Sequence, residues 1–244
     1  MQLRVNGLQP MAISVDNYFV DRSRTPKDEN GQNDYEHIEA IDLPLFNEHL
    51  LRLDAGEKVE LPTFNFQLGK QEYKGNFLQL APNQLVILEG IHCLNPRLTE
   101  QLPMDRKYRI YISALTQLNL DSTNRISTTD NRLVRRLVRD NQFRGHSAGV
   151  TMGMWGSVRR GEKQWIFPFQ HQTDIAFNSA LDYELAVLKP LVEPLLAEVK
   201  PDSPQYVEAR RMQEFLSSFL SLPYDLVPPN SILREFVGKS SFRY

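Results

Sequence analysis

Residues 84–91, Gln84-Leu-Val-Ile-Leu-Glu89-Gly90-Ile91, form the apolar run on which the interpretation of the fold depends. A continuous apolar run that ends in a carboxylate and a glycine is typical of a buried parallel strand. In open α/β sheets, ligands bind beyond the carboxyl ends of the strands, so Glu89 is expected to point into a binding site. Taken alone, the run is explained equally well by a strand that ends in a solvated glutamate before a turn.

A second short apolar run, residues 10–15 (PMAISV), ends at Asp16. It predicts a strand that brings another carboxylate to the same edge of the sheet. Two such carboxylates suit phosphoryl transfer, because one can accept the proton of an attacking hydroxyl while the other holds a metal through water. For Asp16 alone, a turn or helix-capping aspartate is the alternative.

Composition limits the function classes. The chain has 244 residues, a formal net charge of -2 and one cysteine, Cys93. The charge gives no reason to expect nucleic acid or an anionic membrane as an obligatory partner. No apolar run approaches the ~18 residues that span a bilayer, and a lone cysteine excludes an internal disulfide. We therefore expect a cytoplasmic protein with no membrane partner, and a homo-oligomer is left open.

The predicted organisation is one domain over residues 1–200 with a helical C-terminal extension, residues 201–244, packed on it.

Residues 21–66 predict a long polar loop, a helix and the start of a β-hairpin. In the loop, His37 stands among carboxylates, but without a second histidine at ligand spacing a metal cluster is the less favoured interpretation. A helix is expected over residues 43–53 and a hairpin over residues 61–80. The hairpin aromatics Phe64 and Phe66 could stack on a planar base or belong to the core.

A stripe of arginines is predicted on one helix within residues 130–144. Arg132, Arg135, Arg136 and Arg139 share one face at helical spacing, with Leu133 and Leu137 opposite. Such a stripe needs an anion nearby, and acidic side chains, RNA phosphates and nucleotide phosphates are all open.

One glycine-bearing segment resembles a phosphate-binding loop without matching it. Residues 156–162 (GSVRRGE) imitate the phosphate-cradling motif G-x-x-x-x-G-K-[ST], but Glu162 replaces its lysine and no strand precedes the segment. We interpret it as unrelated to phosphate binding, and no other part of the sequence matches that motif.

Strands are expected over residues 107–112 and 173–177, and a helix over residues 182–199 that Pro190 and Pro194 interrupt.

Four motifs in this order and spacing resemble the uridine kinase and phosphoribulokinase family of P-loop kinases. They are Asp16-Asn-Tyr-Phe19, Leu-Pro-Thr-Phe64-Asn-Phe66, Leu-Glu89-Gly90-Ile91 and Arg132-Leu-Val-Arg135-Arg136-Leu-Val-Arg139-Asp140. The resemblance covers roughly residues 1–200. It is strongest to the bacterial branch whose kinase domain follows a region related to the N-terminal region of threonyl-tRNA synthetase.

The resemblance implies a doubly wound parallel α/β sheet with an arginine-bearing lid helix and a nucleoside or sugar kinase that uses ATP or GTP with Mg²⁺. Asp16, Arg135 and Arg139 would be catalytic, and Glu89 would hold the metal. Arg136 and Arg144 would contact the nucleotide. The acceptor would be bound by Phe19, Tyr35, Phe64, Phe66 and Arg132.

The sequence also departs from the family. Asp16-Asn-Tyr-Phe19 replaces the usual aspartate-serine-phenylalanine-tyrosine run, Phe64 replaces a tyrosine, and the expected base-contacting histidine cannot be placed. The pocket thus lacks hydroxyl groups that would read uridine. Residues 1–7 resemble the end of the helix that follows the P-loop, which predicts a fragment without the first strand and Walker A loop, and with impaired turnover. A non-catalytic module that binds RNA or nucleotide through the Arg132–Arg144 stripe, and a structural remnant with neither activity, are the alternatives.

Overall fold

The computed structural model describes residues 2–82 and 84–242. The helices and strands alternate along much of the chain, which confirms the predicted α/β class. The strands are β1 (Gln9–Ser14), β2 (Val59–Asn65), β3 (Lys70–Leu78), β4 (Gln84–Glu89), β5 (Ile110–Ser113) and β6 (Ile175–Asn178). The helices are α1 (Gln2–Val5), α2 (Leu43–Asp54), α3 (Thr128–Arg144), α4 (Ala148–Gly161), α5 (Glu184–Ala197), α6 (Tyr206–Ser217) and α7 (Arg234–Val237).

The chain divides into two compact units. The first comprises Met1–Tyr111 with Ser157–Ile175, and the second comprises Ile112–Gly156 with Ala176–Tyr244. The domain boundary predicted at residue 200 stays a prediction. No helix within the described part of the chain is both long and apolar enough to cross a membrane.

The first unit contains the two apolar strands that the sequence predicted. β1 and β4 pair in parallel, with Ser14 opposite Glu89, so their carboxyl ends lie side by side. α2 begins at its N-cap Asp42, whose side chain accepts the N–H of Leu45, and buries Phe46 against the sheet residues. The predicted hairpin is confirmed, because β2 and β3 pair antiparallel.

β4 is less buried than predicted. Ile87 is 40 % exposed and the side chain of Glu89 is exposed, whereas a central parallel strand is covered on both faces. The physical reason is that, among the described residues, β4 has β1 as its only strand neighbour. β5 and β6 form a separate two-stranded sheet.

The second unit is mostly helical, and α3 and α5 pack against each other in its core. The apolar face of α3 is buried as predicted at Leu133 and Leu137, and Val134 and Val138 are buried with them. α5 corrects a prediction, because it runs through Pro190 and Pro194 without a break. Pro190 removes the N–H that would bond the carbonyl oxygen of Ala186, and the N–H of Leu222 donates to that oxygen instead, at 3.0 Å.

α4 contains most of the segment that imitates a phosphate-cradling loop. Residues 156–161 are its last turn and a half, and a π-helical turn, Glu162–Ile166, follows directly. In a helix the backbone N–H groups bond within the helix and are not available to cradle phosphates. The segment therefore forms a helix and not a phosphate-cradling loop, and its independence of phosphate binding stays a prediction.

Candidate active site

Two carboxylates lie at the carboxyl edge of the parallel strand pair. Glu89 is the last residue of β4, and Asp16 lies in a 3₁₀ turn, Val15–Tyr18, that begins where β1 ends. Because Ser14 pairs with Glu89, the chain places both carboxylates just beyond paired ends of adjacent strands. The predicted sharing of one sheet edge is confirmed, whereas the catalytic and metal-binding roles stay predictions.

Gly90 allows the two strand ends to approach closely. Its φ is +150°, and a Cβ added there would lie 2.9 Å from the Cβ of Val15, the residue that precedes Asp16. A contact that short is not tolerated by real Cβ atoms. The glycine after Glu89 is therefore required by the packing of β4 against the Asp16 turn.

The partly buried thiol of Cys93 lies near both carboxylates. Desolvation raises the pKa of Cys93 to about 12, and the negative charges of Glu89 and Asp16 add to the shift. Both carboxylates thus act on the same thiol, four residues after Glu89. A neutral thiol beside two carboxylates adds no further charge to the edge.

Three of the predicted acceptor-binding residues form an aromatic triangle. The ring centroids of Phe19 and Phe64 are 5.6 Å apart, those of Phe64 and Phe66 are 5.1 Å apart, and those of Phe19 and Phe66 are 6.4 Å apart. The N–H of Phe64 donates to Oδ1 of Asn17, at 3.2 Å, which ties the hairpin to the turn that carries Asp16. Phe66 is 59 % exposed, so the triangle presents ring surface to solvent.

Tyr35, the fourth predicted aromatic contact, lies in the long loop. It is 47 % exposed, and its hydroxyl accepts a hydrogen bond from the side-chain amide of Asn33, at 3.1 Å. The structure gives no ring contact between Tyr35 and the aromatic triangle of Phe19, Phe64 and Phe66. Its role in acceptor binding stays a prediction.

His92 is a buried histidine that no sequence pattern indicated. It is 1 % exposed, and neither ring nitrogen has a hydrogen-bond partner among the described residues. Burial lowers the pKa of His92 to about 4, and the nearby charge of His37 adds to the effect. The ring of His37 packs at a tilt of 59° against the ring of Trp165, with the centroids 4.3 Å apart. A histidine three residues after the strand-end glutamate was the available signal, but spacing alone does not reveal burial.

The predicted arginine stripe lies on α3, in the second unit. Carboxylates of the same unit neutralise most of it: Arg135 pairs with Glu184, and Arg139 pairs with Glu235 at 2.6 Å. Of the three counter-charges that the sequence left open, acidic side chains are the one that the structure shows. Arg132 lies on the same face and is partly exposed.

Asp140 organises the C-terminal half of α3. Its carboxylate is fully buried and accepts from Nε of Arg136 at 2.8 Å, from Nη1 of Arg144 at 2.7 Å and from the hydroxyl of Thr151 at 3.2 Å. Two guanidinium groups on one buried carboxylate leave a net positive charge there. Arg144 retains a side chain that is 47 % exposed.

The two carboxylates at the strand edge, Asp16 and Glu89, are the kind of ligands that bind Mg²⁺. Within residues 2–82 and 84–242, no three His, Cys, Asp or Glu side chains are placed to hold a metal ion together. Mg²⁺ is usually bound by one or two carboxylates together with substrate phosphates and water. Glu89, with Asp16 beside it, fits that requirement.

Comparison with known proteins identifies a family. The sequence profile of the Phosphoribulokinase / Uridine kinase family matches residues 8–186. A uridine kinase of Tolumonas auensis is 32% identical over 164 residues, which are 67% of this chain and 68% of that protein. A uridine kinase of Clostridium tetani is 30% identical over 164 residues, 67% of this chain and 70% of that protein.

Two solved structures share a looser likeness. One, described as a possible uridine kinase from Bacillus stearothermophilus, superposes with a TM-score of 0.44 at 12% identity over 72% of this chain and 76% of that chain. The other, a fructose transport system kinase from Silicibacter sp. TM1040 by its description, gives 0.47 at 16% identity over 72% and 78%. Superpositions at this level assign no fold by themselves.

Proposed function

The chain belongs to the phosphoribulokinase and uridine kinase family, and from that premise we propose that it is a nucleoside kinase domain with a uridine-like acceptor. The proposed reaction moves the γ-phosphoryl group of ATP or GTP to a hydroxyl of a nucleoside or sugar. A cytoplasmic location is part of the proposal, because the single cysteine gives no sign of an oxidising compartment.

The observation that carries the proposal is the parallel register of β1 and β4. It places Asp16 and Glu89 at adjacent strand ends, and the hydrogen bond between Phe64 and Asn17 joins an aromatic triangle to the same turn. The aromatic faces would pack against the base of the acceptor, with its attacking hydroxyl toward Asp16. In this arrangement the aromatic rings bind the acceptor base, and the carboxylates at the strand ends take up the proton and the metal ion.

Asp16 is the proposed base, and it accepts the proton of the attacking hydroxyl as the bond to phosphorus forms. Glu89 is the proposed anchor for Mg²⁺. When bound, the ion would neutralise charge that builds up on the phosphate oxygens. Glu89 holds its carboxylate at the edge because Gly90 keeps the end of β4 against Val15.

The arginines of α3 are the proposed phosphate contacts. Arg135 and Arg139 are assigned to the transferring phosphoryl group, Arg136 and Arg144 to the nucleotide, and Arg132 to the acceptor. Guanidinium groups suit this work because they donate two parallel hydrogen bonds to an oxyanion. Their carboxylate partners in the structure are anions that a phosphate would have to replace.

We further propose that the 244-residue chain turns over slowly by itself. No segment of its sequence matches the glycine-rich phosphate loop with its lysine, and phosphate positioning supplies most of the catalysis in this chemistry. The proposal concerns the rate of transfer, not the identity of the reaction.

The test is phosphoryl transfer from ATP and GTP to a panel of nucleosides and sugars. It is run on this chain and on a version extended upstream through the neighbouring reading frame. In whichever version is active, Asp16→Asn should lower kcat about 10²- to 10⁴-fold. The matched control is Asp105→Asn, an exposed aspartate of the same unit.

Each outcome decides a part of the proposal. Activity limited to the extended version would support both the reaction and the slow turnover of the shorter chain. Full activity of the shorter chain would refute slow turnover alone. Silence in both versions would refute the proposed kinase function. Equal rates for Asp16→Asn and Asp105→Asn in an active version would refute the assignment of Asp16 as the base.

A further inference from the structure

A cleft in the second unit lies between the end of α3 and the chain segment that follows α7. Its volume is about 560 Å³, within the range of small-ligand pockets. The side chains that matter here are Arg139, Phe143, Arg144, Arg234, Lys239 and Phe242. The family resemblance assigns no role to four of them, Phe143, Arg234, Lys239 and Phe242.

The wall of the cleft formed by α7 is anchored to the unit. Leu233 and Phe236 are buried in its core, and the side-chain amide of Gln142 donates to the carbonyl oxygen of Phe236 at 2.7 Å. After α7, the N–H of Ser241 donates to the carbonyl oxygen of Pro229 at 2.8 Å. The cleft is therefore built from packed and hydrogen-bonded chain rather than from a loose end.

The charge of the cleft is strongly positive. Four cationic side chains line it, against the single carboxylate of Glu235, which already pairs with Arg139. The C-terminal end of α3 carries a partial negative charge, which Arg144 offsets. The surplus that attracts an anion therefore comes chiefly from Arg234 and Lys239.

Arg234 gives an independent sign of a ligand. The residue is 6 % exposed, yet its Nε has no hydrogen-bond partner among the described residues. Its Nη1 donates to the carbonyl oxygen of Gly238 at 3.3 Å, and its Nη2 donates to those of Val227 and, at 3.5 Å, Asp225. A buried guanidinium with an unpaired donor is costly, and an oxyanion in the cleft that Arg234 lines would compensate its charge.

Lys239 is held in an uncommon backbone conformation. Its φ is 58°, and it is the one residue other than glycine with positive φ in the described part of the chain. It follows Gly238, whose φ is 77°, so the left-handed turn directs the chain along the rim of the cleft. Because Lys239 is exposed, it contributes a positive charge at little cost in desolvation.

Aromatic rings complete the cleft. Phe143 is 67 % exposed and Phe242 is 42 % exposed. Exposed rings beside guanidinium and ammonium groups match a ligand that has both a planar ring and phosphates. We propose that this cleft binds a mononucleotide, with its phosphates on Arg144, Arg234 and Lys239 and its base on Phe143.

This inference goes beyond the proposed kinase function. Binding here requires no transfer of phosphate, and neither Asp16 nor Glu89 takes part. Arg144 is common to both proposals, so it is not used as a test variant. Arg234 is also avoided, because it donates to three backbone carbonyl groups and its loss would disturb the fold.

The experiment is calorimetric titration of the full chain with ATP, pyrophosphate, uridine and a short single-stranded oligoribonucleotide. The test variants are Lys239→Asn, which tolerates a left-handed backbone, Lys239→Arg, which restores the charge, and Phe143→Leu, which removes the ring. Lys200→Asn is the matched control, because Lys200 is an exposed lysine of the same unit.

We expect ATP to bind more tightly than pyrophosphate or uridine. Lys239→Asn should weaken ATP binding about tenfold, as for the loss of one charged contact, and Lys239→Arg should restore it. Phe143→Leu should weaken the binding of ATP but not of pyrophosphate. Lys200→Asn should match the wild type.

Several results would overturn the inference. They are no binding of ATP, equal affinities in Lys239→Asn and Lys200→Asn, or tighter binding of the oligoribonucleotide than of ATP, which would mark a site for a polymer. ATP binding that ignores both cleft variants, together with phosphoryl transfer, would leave the kinase function standing without this cleft. ATP binding that depends on the cleft, without any phosphoryl transfer, would support the cleft and refute the kinase function.

Discussion

His92 is expected to make the first unit less stable in mild acid. Its imidazole is 1 % exposed, and neither nitrogen has a partner within the described chain. Burial holds its pKa at about 4, against 6.5 for an ordinary histidine. Between these two values the unfolded chain binds a proton that the folded chain excludes, so stability is lost as the pH falls from 6.5 toward 4.

The size of the effect follows from the gap between the two pKa values. A gap of about 2.5 pKa units corresponds to about 3 kcal/mol of unfolding free energy once the pH is below both values. Between pH 7 and pH 5 the expected loss is about 2 kcal/mol. In His92→Leu this part of the loss should vanish, and stability at pH 7 should be equal or slightly higher, because no buried nitrogen is left without a partner.

The assay is urea denaturation at pH 7 and pH 5, followed by tryptophan fluorescence. The chain has two tryptophans, and a Trp155→Phe background leaves Trp165 to report on the unit that contains His92. His171→Leu, an exposed histidine of that unit, should keep the wild-type pH dependence. The reasoning fails if His92→Leu keeps it as well, or if His92→Leu costs several kcal/mol at pH 7.

Three further substitutions test the packing. Gly90→Ala should destabilise the first unit by at least about 2 kcal/mol and weaken acceptor binding, because the new Cβ would meet Val15; an unchanged urea midpoint would show that the strand ends can separate freely. Asp140→Asn should cost the second unit about 3 kcal/mol in thermal or urea unfolding, since it leaves two guanidinium groups without their buried carboxylate; a loss below 1 kcal/mol would contradict this. Arg135→Met should destabilise far more than Arg139→Met in the same assay, and equal losses would refute the ranking of these arginines.

Periodicity predicted the parts of the fold in which side-chain pattern and position agree. Apolar runs predicted β1 and β4, and their terminal carboxylates predicted the shared edge, because parallel strands end on one side of a sheet. The spacing of leucines and arginines predicted α3 and its buried face. These patterns depend only on neighbouring residues, and the structure contains the elements that they predicted.

Partners distant in sequence explain what the pattern could not predict. α5 continues through Pro190 because Leu222, 32 positions after it, supplies the N–H that Ala186 would otherwise lack. β4 is half exposed because the burial of a strand depends on how many strands flank it, which its own residues do not encode. Burial of His92 depends in the same way on elements far along the chain.

The carboxylate partners of α3 rank its arginines by how readily each could turn to a phosphate. Arg135 pairs with Glu184, whose side chain is 2 % exposed, so leaving that carboxylate unpaired would cost about 3–5 kcal/mol. The side chains of Arg139 and Glu235, which pair with each other, are 42 % and 35 % exposed. Exposed ion pairs of this kind contribute about 0–1 kcal/mol to the free energy of unfolding. Exchange of Glu235 for a phosphate oxygen is therefore nearly free, whereas exchange of Glu184 is not. Of the two arginines proposed for the transferring phosphoryl group, Arg139 can turn to a phosphate without loss of structure, whereas Arg135 would first have to release Glu184, with which it holds α3 against α5.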